Sequence, residues 1–428
     1  MTRRRKILIG LAGVLALGAG WYLTRPADIG QGRFFADQTY HFQTLRALSD
    51  IPFDGADTAE VLETVKHITA GDADSWFAAW EHTGDRVAAM GRATRDPVSR
   101  GRALLRAHNY YRTAEFLLAP DDPRRPPSWK KNVDAFYEGI DTLGVTYERI
   151  KAPYGDKHLN ALYFPGPAGA EQRPLIVIGG GYDSTLEELY FMLAAAAYER
   201  GYSVLAYEGP GQGSVLRDQG LVFTHEWEKP TGAVIDAFLA AHPRPPKMVL
   251  VGVSLGGYLA PRAAAFDDRF DGVVAFDVFF DVGVTARAKL PGFAQWLRRN
   301  GFDGPVEALI DLKTTMNPGF KWAVENGMWV LGTKGPLETL DAFAAYTLEP
   351  VASRIKADVL ILAGADDHFV PVAQVGQFEK ALTQARSVTS VIYDRDSGGA
   401  EHCQLGAQTL WHATFFDWLL QKFPVVAS

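Results

Sequence analysis

The chain has 428 residues, 47% apolar and 22% charged, with a formal net charge of −7 at pH 7 and one cysteine, Cys403. This composition excludes collagen-like and disordered classes, gives no basic surface for nucleic acid, and leaves Cys403 without a partner for an internal disulfide. A chain of this length accommodates a large domain plus an appended one.

At the N-terminus, Arg3, Arg4, Arg5 and Lys6 precede the uncharged run "ILIGLAGVLALGAGWYL" (residues 7–23). As a helix it reaches about 25 Å, a little short of a bilayer's hydrocarbon core. The basic flank is expected to stay cytoplasmic, with the rest of the chain on the far side. The run falls between the lengths of a retained anchor and a cleaved signal peptide, and Ala16-Leu17-Gly18 is only a loose cleavage site. Residues 1–27 are therefore expected to be a signal anchor or signal peptide. The protein is expected to be exported, either held at the periplasmic face of an inner membrane by this segment or released if it is cleaved.

Residues 28–143 read as a helical cap domain. The stretches "TAEVLETVKHI", "DSWFAAWEHTGDRVAAMGRAT", "VSRGRALLRAHNYYRTAEFLLA" and "WKKNVDAFYEGIDTL" space apolar residues at helical intervals. Asp57-Thr58, Asp74-Ser75 and Asp96-Pro97 stand where helices commonly start, and "PDDPRRPP" (residues 120–127) is a break. Residues 144–428 follow another grammar. "VTYERIKAPYGDKHLNALYFPG" alternates and turns at Tyr154-Gly155-Asp156, a hairpin pattern. "PLIVIGGG", "SVLAYEGPGQG", "KMVLVGVS", "FDGVVAFD", "ADVLILAG" and "VTSVIYD" then supply strands, mostly continuous apolar runs of the kind a parallel sheet buries on both faces. Helical stretches such as "LEELYFMLAAAAYERG" and "AQTLWHATFFDWLLQKF" lie between or after them. The alternation predicts a doubly wound, mostly parallel α/β sheet. Residues 281–353 break the rhythm and read as a helical insertion over the sheet's carboxyl edge.

The chemistry centres on "LVGVSLGGYLAP" (residues 250–261). Gly252-Val253-Ser254-Leu255-Gly256 fits G-x-S-x-G at a strand-to-helix junction. That turn lifts a serine hydroxyl above the sheet edge and frees the Leu255 N–H for an oxyanion. A serine hydroxyl needs a base, and the base needs an orienting carboxylate. Asp366 and Asp367 both follow the strand "ADVLILAG" and are candidates for the acid. His402, in the glycine-containing loop "SGGAEHCQLG", is the expected base; His368 adjoins the acid and His412 lies within the terminal helix. The loop after "PLIVIGGG" offers a second oxyanion donor around Gly180, Gly181 and Tyr182, with the N–H supplied by Tyr182 or Asp183. "EGPGQG" lacks the lysine and spacing of a phosphate loop and reads as a rigid turn, with Glu208 structural or lining the pocket. Cys403 reads as a packed residue. Nothing has metal-ligand spacing, and neither metal nor organic cofactor is expected.

With "GGGYDST" (residues 179–185), "YEGPGQG" (207–213), "GVSLGGYLA" (252–260), "GADDHFVP" (364–371) and "EHC" (401–403), the chain resembles the α/β-hydrolase superfamily. Within it, the chain is similar to the group containing 2,6-dihydroxypseudooxynicotine hydrolase and the fungal polyketide-shortening hydrolases. The resemblance implies the α/β-hydrolase fold from about residue 143 onward, with Ser254 as nucleophile, His402 as base and Asp367 as acid. It also implies a role for Asp183, which stands where the nicotine-pathway enzyme has glutamate. Members of this group cleave carbon–carbon bonds next to a carbonyl, and relatives in the superfamily cleave esters and amides. The N-terminal helices and the insertion would then cover an acyl pocket, to which Trp76, Trp80, Tyr110 and Tyr111 contribute if they are not core. The expected function is a serine hydrolase acting on a small organic substrate. An amidase or acyltransferase on the same fold and a membrane-anchored binding protein are the alternatives; oligomeric state is not predicted.

Overall fold

Aspartates start the N-terminal helices. In the computed structural model, which describes residues 33–424, α1 (Gln38–Ser49), α2 (Thr58–Val65), α3 (Ala73–Ala93) and α4 (Pro97–Glu115) follow Asp37, Asp57, Asp72 and Asp96. Each carboxylate accepts first-turn N–H groups that the helix itself cannot satisfy. α3 begins earlier than Asp74-Ser75 suggests because Asp72 takes the cap, accepting from the N–H groups of Asp74 and Ser75. α5 (Arg125–Thr142) follows the proline-rich break with prolines in its first turn, where no N–H is needed. The expected anchor or signal segment at residues 1–27 lies outside the described residues. Among residues 33–424, no helix is long and apolar enough to cross a membrane.

These helices enclose a core of their own around Trp76, Trp80, Val87, Tyr110 and Tyr111. Tyr110 and Tyr111 are therefore corrected from pocket residues to core residues. Tyr110 Oη donates to Glu60 at 2.7 Å, and Tyr111 Oη donates to Asp85 at 2.8 Å. Both rings are buried with their hydroxyls satisfied inside the helical layer.

β1 (Glu148–Tyr154) and β2 (Lys157–Phe164) form the hairpin, turning through Gly155 at φ +63°. With β3 (Leu175–Gly179), β4 (Val204–Glu208), β5 (Met248–Val253), β6 (Gly272–Phe276), β7 (Asp358–Gly364) and β8 (Ser387–Tyr393) they make an eight-stranded sheet, ordered β1-β2-β4-β3-β5-β6-β7-β8. β2 is antiparallel to both β1 and β4, and every other pair is parallel. Side chains alternate between two cores: Leu175 and Val177 enter one, Ile176 and Ile178 the other.

Along the chain, α6 (Ala195–Glu199) follows β3, α7 (Gly213–Gln219) and α8 (Glu228–Ala241) follow β4, and α9 (Gly256–Ala264) follows β5. Between β6 and β7 come α10 (Val282–Ala288), α11 (Gly292–Arg299), α12 (Asp303–Met316), α13 (Pro318–Leu331) and α14 (Pro336–Ala342), closed at the base by an Asp281–Thr347 bridge. α15 (Ala373–Ala381) and α16 (Gln408–Lys422) complete the order. The helix expected after β3 is not regular: a π-helical turn, Tyr190–Ala194, precedes α6. Such a turn loosens the backbone ladder, and α16 binds its carbonyls. Gln408 Nε2 donates to the Phe191 and Met192 oxygens, and His412 Nε2 to Met192 O at 2.8 Å.

The helical layer is tied to the sheet by buried charge. Arg46 of α1 donates to both Glu188 oxygens and to Asp183, each at 2.6 Å, and Arg112 of α4 lies 3.8 Å from Glu188. Burial opposes ionisation of Glu188, but Arg46 and Arg112 hold its pKa down to about 2. Removing one partner of a buried pair strands the other charge. Arg46→Ala is expected to lower unfolding free energy by roughly 3–5 kcal/mol in urea denaturation, with part recovered when Asp183→Asn and Glu188→Gln are added.

Candidate active site

The elbow between β5 and α9 is tightly packed at the sheet's carboxyl edge. Ser254 sits there at φ +62°, a left-handed conformation that costs free energy for a non-glycine residue. Hydrogen bonds hold it: Ser254 N–H donates to Phe276 O, and Gly257 N–H donates to Ser254 O at 2.7 Å. The flanking glycines are required by space. A Cβ on Gly252 would lie 1.9 Å from Gly256 O, and one on Gly257 would lie 1.9 Å from Asp277 O.

His402 reaches this serine from the loop between β8 and α16. In the tautomer that Asp367 favours, Nδ1 donates to Asp367 Oδ2 at 2.6 Å, and Ser254 Oγ donates to Nε2 at 2.8 Å. The other oxygen of Asp367 accepts from the N–H groups of Phe369 and Val370, at 2.7 and 2.9 Å, which fixes the carboxylate. Asp366 turns outward to Arg395. His368 Nδ1 lies 3.4 Å from Glu401, and His412 is committed to Met192 O. Burial opposes the charge on Asp367, yet the adjacent imidazole holds its pKa below the ordinary carboxylate value. Burial, the largest single influence, opposes protonation of His402, but Asp367, Cys403 and Asp277 together outweigh it and raise the imidazole well above its ordinary 6.5.

The loop after β3 closes the opposite side. Its backbone passes so near the elbow that a Cβ on Gly181 would lie 2.7 Å from Leu255 N and 2.9 Å from Ser254 Cβ. Gln212, buried in the turn after β4, donates through Nε2 to Gly180 O and Gly181 O, both at 2.9 Å. In a trans peptide the C=O and N–H point opposite ways, so this clamp turns the N–H groups of Gly181 and Tyr182 away from Gln212. The Leu255 N–H has no acceptor among the described residues. An oxygen bound beside Ser254 would find these donors preorganised.

Ser254, His402, Leu255, Gly181, Tyr182 and Asp183 all line one cavity of about 270 Å³. The rest of the lining is mostly apolar, with Ile310, Phe320, Leu340 and Phe343 from the insertion and Phe42 from α1. Arg46, Asp183 and Glu188 bring their ion-paired network to it. Glu208, expected at the pocket or in a structural role, is not among the lining residues. It is buried, accepting from Asn160 Nδ2 at 2.8 Å and Ser214 N–H at 3.2 Å, so its role is structural. Asp277, His402 and Cys403 each offer a metal-ligating atom within 4.8 Å of the others. Both His402 nitrogens are already engaged, which leaves this group hydrogen-bonded rather than a free ligand set.

A family model described as alpha/beta hydrolase fold matches residues 173–393, just over half of the chain. The hydrolase acrC of Aspergillus aculeatus is 32% identical over 422 residues, covering 92% of this chain and 98% of its own length. The chain belongs to the α/β-hydrolase family. The 20-hydroxy-prefusarin hydrolase FUS2 of Gibberella moniliformis is 33% identical over 415 residues, with the same coverage of each chain. Among solved structures, 2,6-dihydroxy-pseudo-oxynicotine hydrolase superposes with a TM-score of 0.69 at 21% identity, covering 89% of this chain and 97% of its own, and so shares the fold. This chain is a hydrolase, and a binding protein without catalysis is set aside.

Three side chains of this α/β-hydrolase's site were not singled out in the sequence: Arg46, Gln212 and Asp277. Gln212 had a signal, since a polar residue inside a glycine-rich turn beside a sheet edge has nearby backbone to hold. Arg46 and Asp277 had none, because their partners lie far off in the chain. Gln212→Ala releases the clamp on the β3 loop. The expected result is a fall of about 10²–10³ in kcat/KM toward p-nitrophenyl butyrate, the loss typical of one oxyanion donor, with the far-UV circular dichroism unchanged.

Proposed function

We propose that this hydrolase cleaves an acyl bond, a carboxylic ester or a carbon–carbon bond next to a carbonyl, in a small and largely apolar organic substrate. Ser254 is the nucleophile, His402 the general base and then acid, and Asp367 the group that orients the imidazole. The observation carrying this reading is the unbroken hydrogen-bonded line from Asp367 through His402 to Ser254, at 2.6 and 2.8 Å.

In the first step the Ser254 hydroxyl attacks the carbonyl carbon while His402 Nε2 takes its proton. The charge that develops on the carbonyl oxygen is met by the Leu255 N–H and by an N–H of the Gly181–Tyr182 segment. The imidazolium returns its proton to the leaving group, an alkoxide for an ester or an enolate carbon for a carbon–carbon bond. Water then attacks the acyl-enzyme with His402 again as base, and the acid product leaves. The helices of residues 28–143 and the insertion of about 281–353 act as a cap over this chemistry. Their apolar contribution to the cavity wall supports a hydrocarbon-rich acyl group. The basic-then-apolar segment at residues 3–23 supports export; fractionation of cells expressing a C-terminally tagged chain checks it.

A panel of an aryl ester, an anilide and a β-diketone, assayed with water as the sole acceptor, separates the bond classes. Turnover of the ester or the diketone, with hydrolytic products, supports the proposal. Turnover of the anilide alone, or products only when an alcohol acceptor is added, contradicts it. Ser254→Ala is expected to lower turnover at least 10⁴-fold while leaving the thermal unfolding transition nearly unchanged.

The pH profile follows from His402. The base must be neutral, and against its burial the groups around it, Asp367 foremost, raise its pKa above 6.5. Activity should therefore be lost as pH falls, with the acid limb of kcat/KM centred above pH 6.5. A midpoint at or below 6.5 contradicts the electrostatics described here.

A further inference from the structure

β6 ends at Phe276, and the next residue brings a second carboxylate to the imidazole. Asp277 is 1% exposed. Its Oδ2 stands 3.3 Å from His402 Nδ1, the same nitrogen that Asp367 meets at 2.6 Å. That oxygen also accepts the Cys403 N–H at 2.7 Å, and Oδ1 faces Gln404 Nε2 at 3.4 Å. Cys403 and Gln404 follow His402 directly, and both hold positive φ, +53° and +45°. The bond to Cys403 N–H therefore anchors a strained turn that aims the ring. A single triad acid would suffice for Nδ1, and a second buried carboxylate costs desolvation unless a charge or donor answers it.

We propose that Asp277 is a second positioning carboxylate for His402, sharing the Nδ1–H with Asp367 and holding the loop that presents the ring to Ser254. The inference rests on the reading of His402 as the base. When His402 takes the serine proton, the Ser254 Oγ–H bond breaks and an Nε2–H bond forms, while the Nδ1–H stays on the ring with two acceptors before it. The titratable groups facing Asp277 are His402, Asp367, the Cys403 thiol and, from β8, Tyr393. Burial raises Asp277 above the ordinary carboxylate value, the His402 hydrogen bond lowers it, and the Asp367 charge raises it again. With Asp277 ionised, the two carboxylates together hold the proton on His402 to a higher pH than one acid would.

The test measures fluorophosphonate labelling rates from pH 5 to 9 for wild type, D277N, D367N and the double variant. D277N is expected to move the acid limb to lower pH by about 1 unit, as loss of a neighbouring opposite charge does. A merely structural role would leave that midpoint in place. D367N is expected to lose about 10²-fold rather than the ~10⁴-fold typical of a triad acid, and the double variant to lose the rest. An unmoved midpoint in D277N, or D367N as slow as the double variant, overturns the proposal. If D277N does not fold, D367N alone decides, and a full ~10⁴-fold loss overturns it. Wild-type protein that takes no label on Ser254 would sink the base reading itself, an outcome distinct from labelled protein whose pH profile ignores Asp277.

Discussion

The site depends on the close approach of three backbone segments at the carboxyl edge of the sheet. The loop after β3, the elbow after β5 and the end of β6 meet around Ser254 with no room for a side chain at Gly181, Gly252 or Gly257. The left-handed turn at Ser254 is costly alone. It persists because Phe276 O takes its N–H and the neighbouring strands leave no alternative path. Strain and crowding together put the hydroxyl, the Leu255 N–H and the His402 ring into one small volume.

That edge is braced from both sides by buried polar groups. Gln212 fixes the carbonyls of the β3 loop from behind. Arg46 ties α1 to Asp183 in that loop and to Glu188 just beyond it. The helical layer is thus more than a cover: its one buried guanidinium contact to Asp183 reaches the cavity wall. The charges that seat the N-terminal helices also line the cavity, so its shape and the packing of that layer depend on the same ion pairs.

Much of this was legible in the sequence, for local reasons. The strands were continuous apolar runs, the elbow combined turn glycines with a strand before and a helix after, and the chain order of Ser254, the paired aspartates and His402 matched their meeting in space. The rest came from the resemblance, as the choice of Asp367 did, or depended on contacts that only the fold makes. Asp366 and Asp367 are adjacent in sequence, and the turn through Phe369 and Val370 decides which faces inward. Tyr110 and Tyr111 lie on a helix whose aromatic spacing is the same for a core face and a pocket face; contacts with Glu60 and Asp85 make it core. The π-helical turn is held by Gln408 and His412, more than two hundred residues away. Asp277 sits at the end of an ordinary strand, and only the fold of the His402 loop brings it to the imidazole.

The proposed attack of Ser254 on a carbonyl, its oxygen received by the elbow and the β3 loop, is tested most directly by a crystal structure of the phosphonylated protein. Phosphorus is expected on Ser254 Oγ, with the phosphoryl oxygen within hydrogen-bonding distance of Leu255 N and of an N–H from Gly181 or Tyr182. Phosphorus on another residue, or a phosphoryl oxygen turned away from both segments, would contradict it.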